Sequence, residues 1–573
     1  MHRHIFKKIS RGLNLSKPIG MKYQDINPED IFLDSTNLPG FDEYALEGRI
    51  EKPMSHTTFV ALKVVFSILL VMLIGKLWVL GVKDGEVYAQ ISDNNRLAQT
   101  IIFANRGVIK DRNGVELAMN EIKEGDSDFA GRVYAPMNGL SHVVGYVKYP
   151  LVDKYGVYYE KEYRPLDGVE RAYDLILKGK NGSKLVETDV LGKITSESTI
   201  DKPIDGETLN LSIDAKVTEV LHNAIANLSK SNGFMGGAAV IMDVHTGEII
   251  ALTSYPEYDQ NAMTRGVDQK TYDSLVNGSS KPFLNRAVGG LYTPGSILKP
   301  IVALAALNEN IISPHKEILS TGSLTVPNPY DPSKPSVFGD WKAHGYTAMR
   351  EAIAVSSDVY FYTIGGGFAD QRGLGIGLID KYFEIFAIED PTGVELAGEV
   401  SGTIPTPEWK AERFNGDIWR LGDTYITSIG QYGTQLSPIT AARFTAAIAN
   451  KGRILKPSLL LGGVSEPLIR EVKFAEEDWR VIHEGMREAV TYGTAVGVNV
   501  PYVEAAAKTG TAEVGSSKSY VHSWSVGFFP YDNPKYAWAI LMERGPATNA
   551  VGATSVMRQL FDWMSVNAPQ YLQ

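Results

Sequence analysis

Phe59 to Val82 reads FVALKVVFSILLVMLIGKLWVLGV, and from Val64 to Gly75 it carries no charge. About 20 residues are needed to cross the hydrocarbon of a bilayer. A crossing helix must therefore include Lys63 or Lys76, with the amine snorkelling toward a headgroup layer. Soluble proteins also bury all-apolar helices, but this segment stands alone between a polar head and a long polar remainder. A cleaved signal peptide fits poorly, because the run starts far from Met1 and no small-x-small site follows it. The segment reads as a single signal anchor over residues 58–82, preceded by a cytoplasmic tail over 1–57. Arg3, Lys7, Lys8, Arg11, Lys17 and Lys22 all precede the first acidic residue, Asp25, which places the N-terminus inside. Asp42, Glu43, Glu47 and Glu51 outnumber Arg49 and Lys52 nearer the span and weaken that signal. The remainder is expected outside the plasma (inner) membrane.

Composition narrows what that remainder does. Lys and Arg number 56 against 66 Asp and Glu, a net charge of −10, so a broad basic face for nucleic acid is not expected. The chain has no cysteine, which removes disulfides, thiolate metal sites and a cysteine nucleophile. From 83 to 208 come short alternating runs with turn signals, among them Arg112-Asn113-Gly114 and Lys180-Asn181-Gly182. This stretch reads as strand-rich. From 209 onward the texture changes. LNLSID reads as a strand, and Asp214 is placed to cap the helix AKVTEVLHNAIANLS. GGAAVIMDVHTGEIIALTSY reads as two strands around His245-Thr246-Gly247. Helical stretches surround Ile297–Leu307, Met349–Phe361 and Thr440–Asn450, and HSWSVGFFPYDNPKYAWAILMERG reads as a hairpin turning at Pro530–Pro534. Strands first, helices in the middle and strands last predict an α+β domain built on one antiparallel sheet.

The chemistry centres on Ser296-Ile297-Leu298-Lys299. Gly295 allows a sharp entry, and Ile301 to Leu307 suits a buried helix. Pro300 is tolerated only in a first turn, whose N–H groups lack partners anyway. The helix therefore starts near Ser296, with Lys299 one turn on and on the same face. A serine hydroxyl is a weak nucleophile until a base takes its proton, and burial beside positive charge favours the neutral lysine that can act as one. The spacing alone is weak. Ser313-Pro314-His315-Lys316 repeats it, and there Ser313 reads as an N-cap with proline at the first helical position. Ser356-Ser357-Asp358, opening a second helix, and Lys508-Thr509-Gly510-Thr511, on a strand after Val503–Ala507, give the spacing its context. Ser356 as a helix cap and Lys508 as an exposed strand end are the plain structural alternatives.

The three motifs in this order resemble penicillin-binding proteins and serine β-lactamases. Over residues 58 to about 570 the chain resembles a class B penicillin-binding protein, a peptidoglycan D,D-transpeptidase. Arg106-Gly107-Val108-Ile109-Lys110-Asp111-Arg112-Asn113-Gly114 and Gly168-Val169-Glu170-Arg171-Ala172-Tyr173-Asp174 match family signatures in an 83–208 pedestal of the dimerisation type. NRAVGGLYTPGS, TGVELAGEVSG and GDTYITSIGQ match blocks of a transpeptidase domain over 209–573, in which an antiparallel sheet carries helices on both faces. Trp419 through Gly433 and Asp358 resemble the elongation-type subset, whereas that subset often has Lys-Ser-Gly in place of Lys508-Thr509-Gly510.

The resemblance implies roles. Ser296 attacks the D-Ala-D-Ala carbonyl of a stem peptide, Lys299 takes its proton, and Ser356 passes a proton to the departing D-alanine. Lys508 supplies positive charge, Thr509 and Thr511 bind the donor carboxylate, and the Ser296 and Thr511 N–H groups form the oxyanion hole. β-Lactams acylate Ser296. An aspartate at 358 only accepts hydrogen bonds, where the commoner asparagine also donates, and it favours protonated lysines beside it. The implied partner is a SEDS-type membrane glycosyltransferase, with no cofactor. Some elongation-type relatives hold zinc between the first two motifs, where Asp340 and His344 lie; without cysteine no metal is expected. His522, near Trp524, reads as packing. A D,D-carboxypeptidase or β-lactamase-type hydrolase, for which no dedicated glutamate is identified, and a β-lactam receptor or non-catalytic scaffold remain alternatives.

Overall fold

The computed structural model describes residues 56–83, 97–122, 128–154, 157–188, 194–328, 331–515 and 517–573. The tail expected over 1–57 lies outside the described residues except for its last two. The chain divides into two compact units, Met1–Ser92 and Asp93–Gln573. In the first, helix α1 (His56–Trp78) continues through a π-helical turn, Val79–Lys83. Thr57–Trp78 is long and apolar enough to cross a membrane. None of its most apolar window is buried inside the protein, as a soluble core helix would be.

The second unit begins with strands β1 (Leu97–Ile102), β2 (Ile109–Lys110), β3 (Glu116–Glu121), β4 (Gly131–Tyr134), β5 (Gly182–Thr188), β6 (Ile194–Asp201) and β7 (Leu209–Asn210). They form two sheets, ordered β1-β5-β6 and β7-β2-β3-β4. The expected turn at Arg112-Asn113-Gly114 joins β2 to β3. The one at Lys180-Asn181-Gly182 is not a turn: Lys180 bridges Ile204 and Gly182 opens β5 opposite Ile102. Strand pairing overrides the turn propensity of Asn-Gly there. β7 pairs in parallel with β2, so the expected boundary at 208/209 falls where the two regions share backbone hydrogen bonds. Ser141 Oγ to Tyr258 O (2.7 Å) and Gln260 Nε2 to Gly145 O (2.6 Å) tie them further.

Asp214 caps α2 (Ala215–Asn232) by accepting from Lys216 N and Val217 N. β8 (Gly236–Asp243) and β9 (Ile249–Tyr255) form the first hairpin of the larger sheet, and β10 (Ala506–Val514), β11 (Tyr520–Phe529) and β12 (Tyr536–Pro546) complete it in the order β9-β8-β12-β11-β10. All its pairings are antiparallel. Side chains alternate between its faces with a period of two. Ala238, Val240 and Met242 of β8 face one core, and Ala239 and Ile241 face the other. The first core holds α3 (Lys299–Asn308), α4 (Met349–Ala354), α5 (Asp358–Gly366), α6 (Leu421–Ser428), α7 (Pro438–Ala449) and α8 (Glu476–Thr491); the second packs α2 and α9 (Ala553–Asn567). Burial on both faces explains why β8 and β12 read as almost continuous apolar runs. The helical stretch around Met349–Phe361 is present as α4 and α5, and the Ser356-Ser357-Asp358 motif leads into α5 as expected, with Ser356 at φ +59° between the two helices. Ser313 caps no helix; Lys316 N donates to its carbonyl in a plain turn.

Arg106 and Arg132 are fully buried with Glu170 between them, at 2.5 and 2.7 Å, and Asp174 takes the other end of Arg106 at 2.7 Å. Burial alone would raise the Glu170 pKa, but the two guanidiniums outweigh it and hold the carboxyl below its usual range. The ionised network is thus in place above the ordinary carboxylate range and is lost as pH falls through the depressed value. Glu170→Ala leaves two buried guanidiniums short of an anion and is expected to cost about 3–5 kcal/mol, read as a lower urea midpoint for the detergent-solubilised chain.

Candidate active site

The nucleophile loop and the edge strand β10 meet through their backbones. Gly295, at φ +59°, starts a 3₁₀ turn, Gly295–Leu298, from which α3 continues with Pro300 in its first turn. A Cβ on Gly510 would lie 2.5 Å from Pro294 O, so a side chain there would push the loop off the strand. The loop is also held from behind, where Gly295 N donates to Gly430 O at 2.9 Å. Ser296 therefore sits in the 3₁₀ turn ahead of α3, and Lys299 opens the helix proper, fully buried.

The amine of Lys299 is turned to the second motif. Its Nζ donates to Asp358 Oδ1 at 2.6 Å, to Ser356 O at 2.8 Å and to Ser356 Oγ at 3.3 Å, and lies 5.1 Å from the Phe361 ring centroid. Among the described residues Ser296 Oγ makes no hydrogen bond. Lys508, also fully buried, reaches the same hydroxyl from the other side: its Nζ donates to Ser356 Oγ at 2.8 Å and to Thr509 O at 2.9 Å. Burial first, and then the charge of Lys299, push Lys508 well below the usual lysine range; Asp358 acts the other way. The ion pair belongs to Lys299, and the positive charge expected on Lys508 is disfavoured by its burial beside that lysine.

Ser296, Ser356, Asp358, Thr509, Gly510 and Thr511 line one cavity of ≈ 400 Å³, and both lysines stand behind its wall. All eight candidate residues thus come together. The strained backbone at Ser356 costs about 1–3 kcal/mol and aims its hydroxyl at both amines. Sequence reasoning missed Trp341, Thr494 and Asn549 in the cavity wall. Thr494 is placed by a 2.7 Å hydrogen bond with Thr509 Oγ1; nothing in its local sequence marks it. The helix cap at this motif is Ser357, which accepts from Tyr360 N, and not Ser356. His522 packs edge-to-face on Tyr292 at 5.3 Å, accepts from Arg544 N through Nδ1, and is pushed down to about 4 by burial.

Asp340 Oδ1 and His344 Nε2 lie 3.3 Å apart. A structural zinc site takes four protein ligands, and among the described residues no group of three His, Asp or Glu could hold a metal ion. The residues present do not fit a zinc site.

Residues 237–562 match the family model of the penicillin-binding protein transpeptidase domain, and residues 128–211 match that of the penicillin-binding protein dimerisation domain. The chain is 28% identical over 468 residues to the peptidoglycan D,D-transpeptidase MrdA of Haemophilus influenzae, covering 75% of this chain and 69% of that one. Its fold matches the Pseudomonas aeruginosa PBP2 complexed with WCK 5153 with a TM-score of 0.68 at 30% identity, covering 83% of this chain and 98% of that one. A chain from a peptidoglycan synthase complex described as coordinating polymerization and crosslinking matches with a TM-score of 0.67 at 26% identity, covering 90% and 98%. With a family model spanning more than half its length and the three motifs gathered around one cavity, the chain belongs to the penicillin-binding protein family, as a class B member of the elongation-type subset, and is a serine peptidoglycan D,D-transpeptidase of cell-wall synthesis.

Proposed function

We propose that Ser296 is the nucleophile and that Lys299, Ser356 and Lys508 form a two-amine proton relay that arms it. The observation that carries this is one hydroxyl, Ser356 Oγ, within 3.3 Å of Lys299 Nζ and 2.8 Å of Lys508 Nζ. Lys299 is ion-paired with Asp358, and burial beside Lys299 pushes Lys508 toward its neutral form. When the donor peptide lays its terminal carboxylate against Thr509 and Thr511, that anion favours a protonated Lys508. Ser356 then passes its proton to Lys508 and takes one from Lys299, leaving Lys299 neutral. Ser296 Oγ bonds to the penultimate D-Ala carbonyl carbon as its proton passes to Lys299, while the Ser296 and Thr511 N–H groups hold the oxyanion. The amide bond to the last D-alanine breaks, and the proton leaves on that amine through Ser356. An amine from a second stem peptide reverses these transfers and closes the cross-link. A β-lactam enters by the same acylation.

The division into a 1–57 tail, a 58–82 anchor, an 83–208 pedestal and a 209–573 transpeptidase domain belongs to this reading. So does an extracytoplasmic catalytic domain, supported by the lysines and arginines that precede the first acidic residue, Asp25. A SEDS-type glycosyltransferase as partner is supported by the likeness to the synthase-complex chain. A relative from Helicobacter pylori, 25% identical, is described in complex with MreC, and a protein of that kind is a second candidate partner.

Fluorescent penicillin is expected to label the wild type and not Ser296→Ala, with the adduct on the Ser296 peptide; label on another residue overturns the assignment. Lys508→Arg keeps a cation that does not lose its proton at working pH. It is expected to slow acylation by about 100-fold or more, the scale of a lost proton-transfer group; a near-normal rate would reduce Lys508 to a charge. Asp358→Asn removes the anion that opposes the downward push of burial and Lys299 on Lys508. The rising limb of acylation rate against pH is therefore expected to move to lower pH, which stopped-flow measurements across a pH series will detect.

A further inference from the structure

The relay depends on a backbone conformation that serine does not favour. Ser356 has φ +59°, and the turn it belongs to is fastened from outside its own helix. The carboxylate of Asp340, fully buried, reaches the turn from the segment before α4. Its Oδ2 accepts from Ser357 Oγ at 2.9 Å and from Val359 N at 3.0 Å, the residues just after Ser356. The same oxygen accepts from Ser320 Oγ at 3.1 Å. Oδ1 accepts from Trp341 N at 2.9 Å and lies 3.3 Å from His344 Nε2. Trp341 in turn donates from Nε1 to Val355 O at 3.2 Å, gripping the residue just before Ser356. The turn is thus held on both sides by one buried anion and the residue next to it.

We propose that Asp340 is a positioning residue of the transpeptidase reaction, holding Ser356 in the left-handed conformation that sets its hydroxyl between Lys299 and Lys508. The proposal rests on the relay role of Ser356 given above. Burial alone would protonate Asp340, but the N–H groups of Val359 and Asp358 and the Ser357 hydroxyl outweigh it and hold the carboxyl below its usual range. The acceptor it offers to the turn is therefore an anion at working pH. An aspartate is required because both oxygens must accept. Asparagine has one acceptor and one donor end, so its NH₂ would face either the Ser357–Val359 donors or Trp341 N. Asp340 also lines up with the N-terminus of α5, where a negative charge is favoured, but the contacts to Ser357 and Val359 make the site.

The test is stopped-flow acylation of the full chain in detergent by a fluorescent penicillin, resolving non-covalent binding from the first-order acylation step. Asp340→Asn is expected to slow that step by at least about tenfold. Ser357→Ala, which breaks the contact to Oδ2 and leaves Trp341 anchored, is expected to slow it with non-covalent binding unchanged. The double variant is expected within about threefold of Asp340→Asn, because residues sharing one contact do not add. A purely structural carboxylate would lower the melting temperature and leave the acylation step of the folded protein intact. Acylation within about twofold of wild type in Ser357→Ala, or losses that multiply in the double variant, overturns the proposal. Ser356→Ala separates the two readings. If it acylates normally, the relay itself fails; if it is slow while Asp340→Asn and Ser357→Ala are not, only the role of Asp340 fails.

Discussion

Two amines buried within reach of one hydroxyl cannot both hold a proton at low cost, and the rest of the site is arranged around that constraint. Lys299 has an anion, Asp358, at 2.6 Å; among the described residues Lys508 has no carboxylate in salt-bridge range, and burial pushes it toward its neutral form. The two amines are therefore not equivalent: one is ion-paired, and burial and its neighbour push the other below the usual lysine range. Ser356 Oγ lies within hydrogen-bond reach of both amines, and the backbone beneath it is bent into a conformation serine avoids.

Holding that arrangement needs rigid parts from far apart in the chain. Lys299 comes from the first turn of α3, Ser356 from the break between α4 and α5, and Lys508 from the edge strand of a five-stranded sheet. The sheet supplies the stiffness. Its strands are covered on both faces by separate apolar clusters, so β10 has little freedom to shift, and the nucleophile loop is pressed on it closely enough that Gly510 admits no side chain. Burial at this density resists small displacements, and displacements of about an ångström are what proton transfer and acyl attack do not tolerate. The strand-rich region before β7 is joined to the rest by the β7–β2 pairing and by the Ser141–Tyr258 and Gln260–Gly145 hydrogen bonds, and it is braced internally by the buried arginine–glutamate network.

Much of this was legible in the residues. Pro300 is allowed only near a helix start, and that single constraint located Ser296 and Lys299. The cap at Asp214, the hairpin around His245-Thr246-Gly247 and the β-turn region at Pro530–Pro534 follow from local backbone preferences, and each stands in the structure. Two readings failed. Lys180-Asn181-Gly182 has a turn composition but is drawn into strand pairing, a contact distant in sequence that outweighs the local preference. Ser313 has the look of a cap, but the chain after it makes a plain turn and no helix.

The sequence by itself determined the family, the membrane-crossing segment and the three motifs, because helix starts, turn residues and apolar runs are short-range properties written in neighbouring side chains. Only the tertiary structure decided which lysine faces which partner, that Lys299 pairs with Asp358 while burial pushes Lys508 below the usual lysine range, and that Asp340 reaches the second motif. Those depend on burial and on distances between residues up to about 150 positions apart in sequence, and electrostatic energies follow spatial separation and surrounding dielectric, not order along the chain.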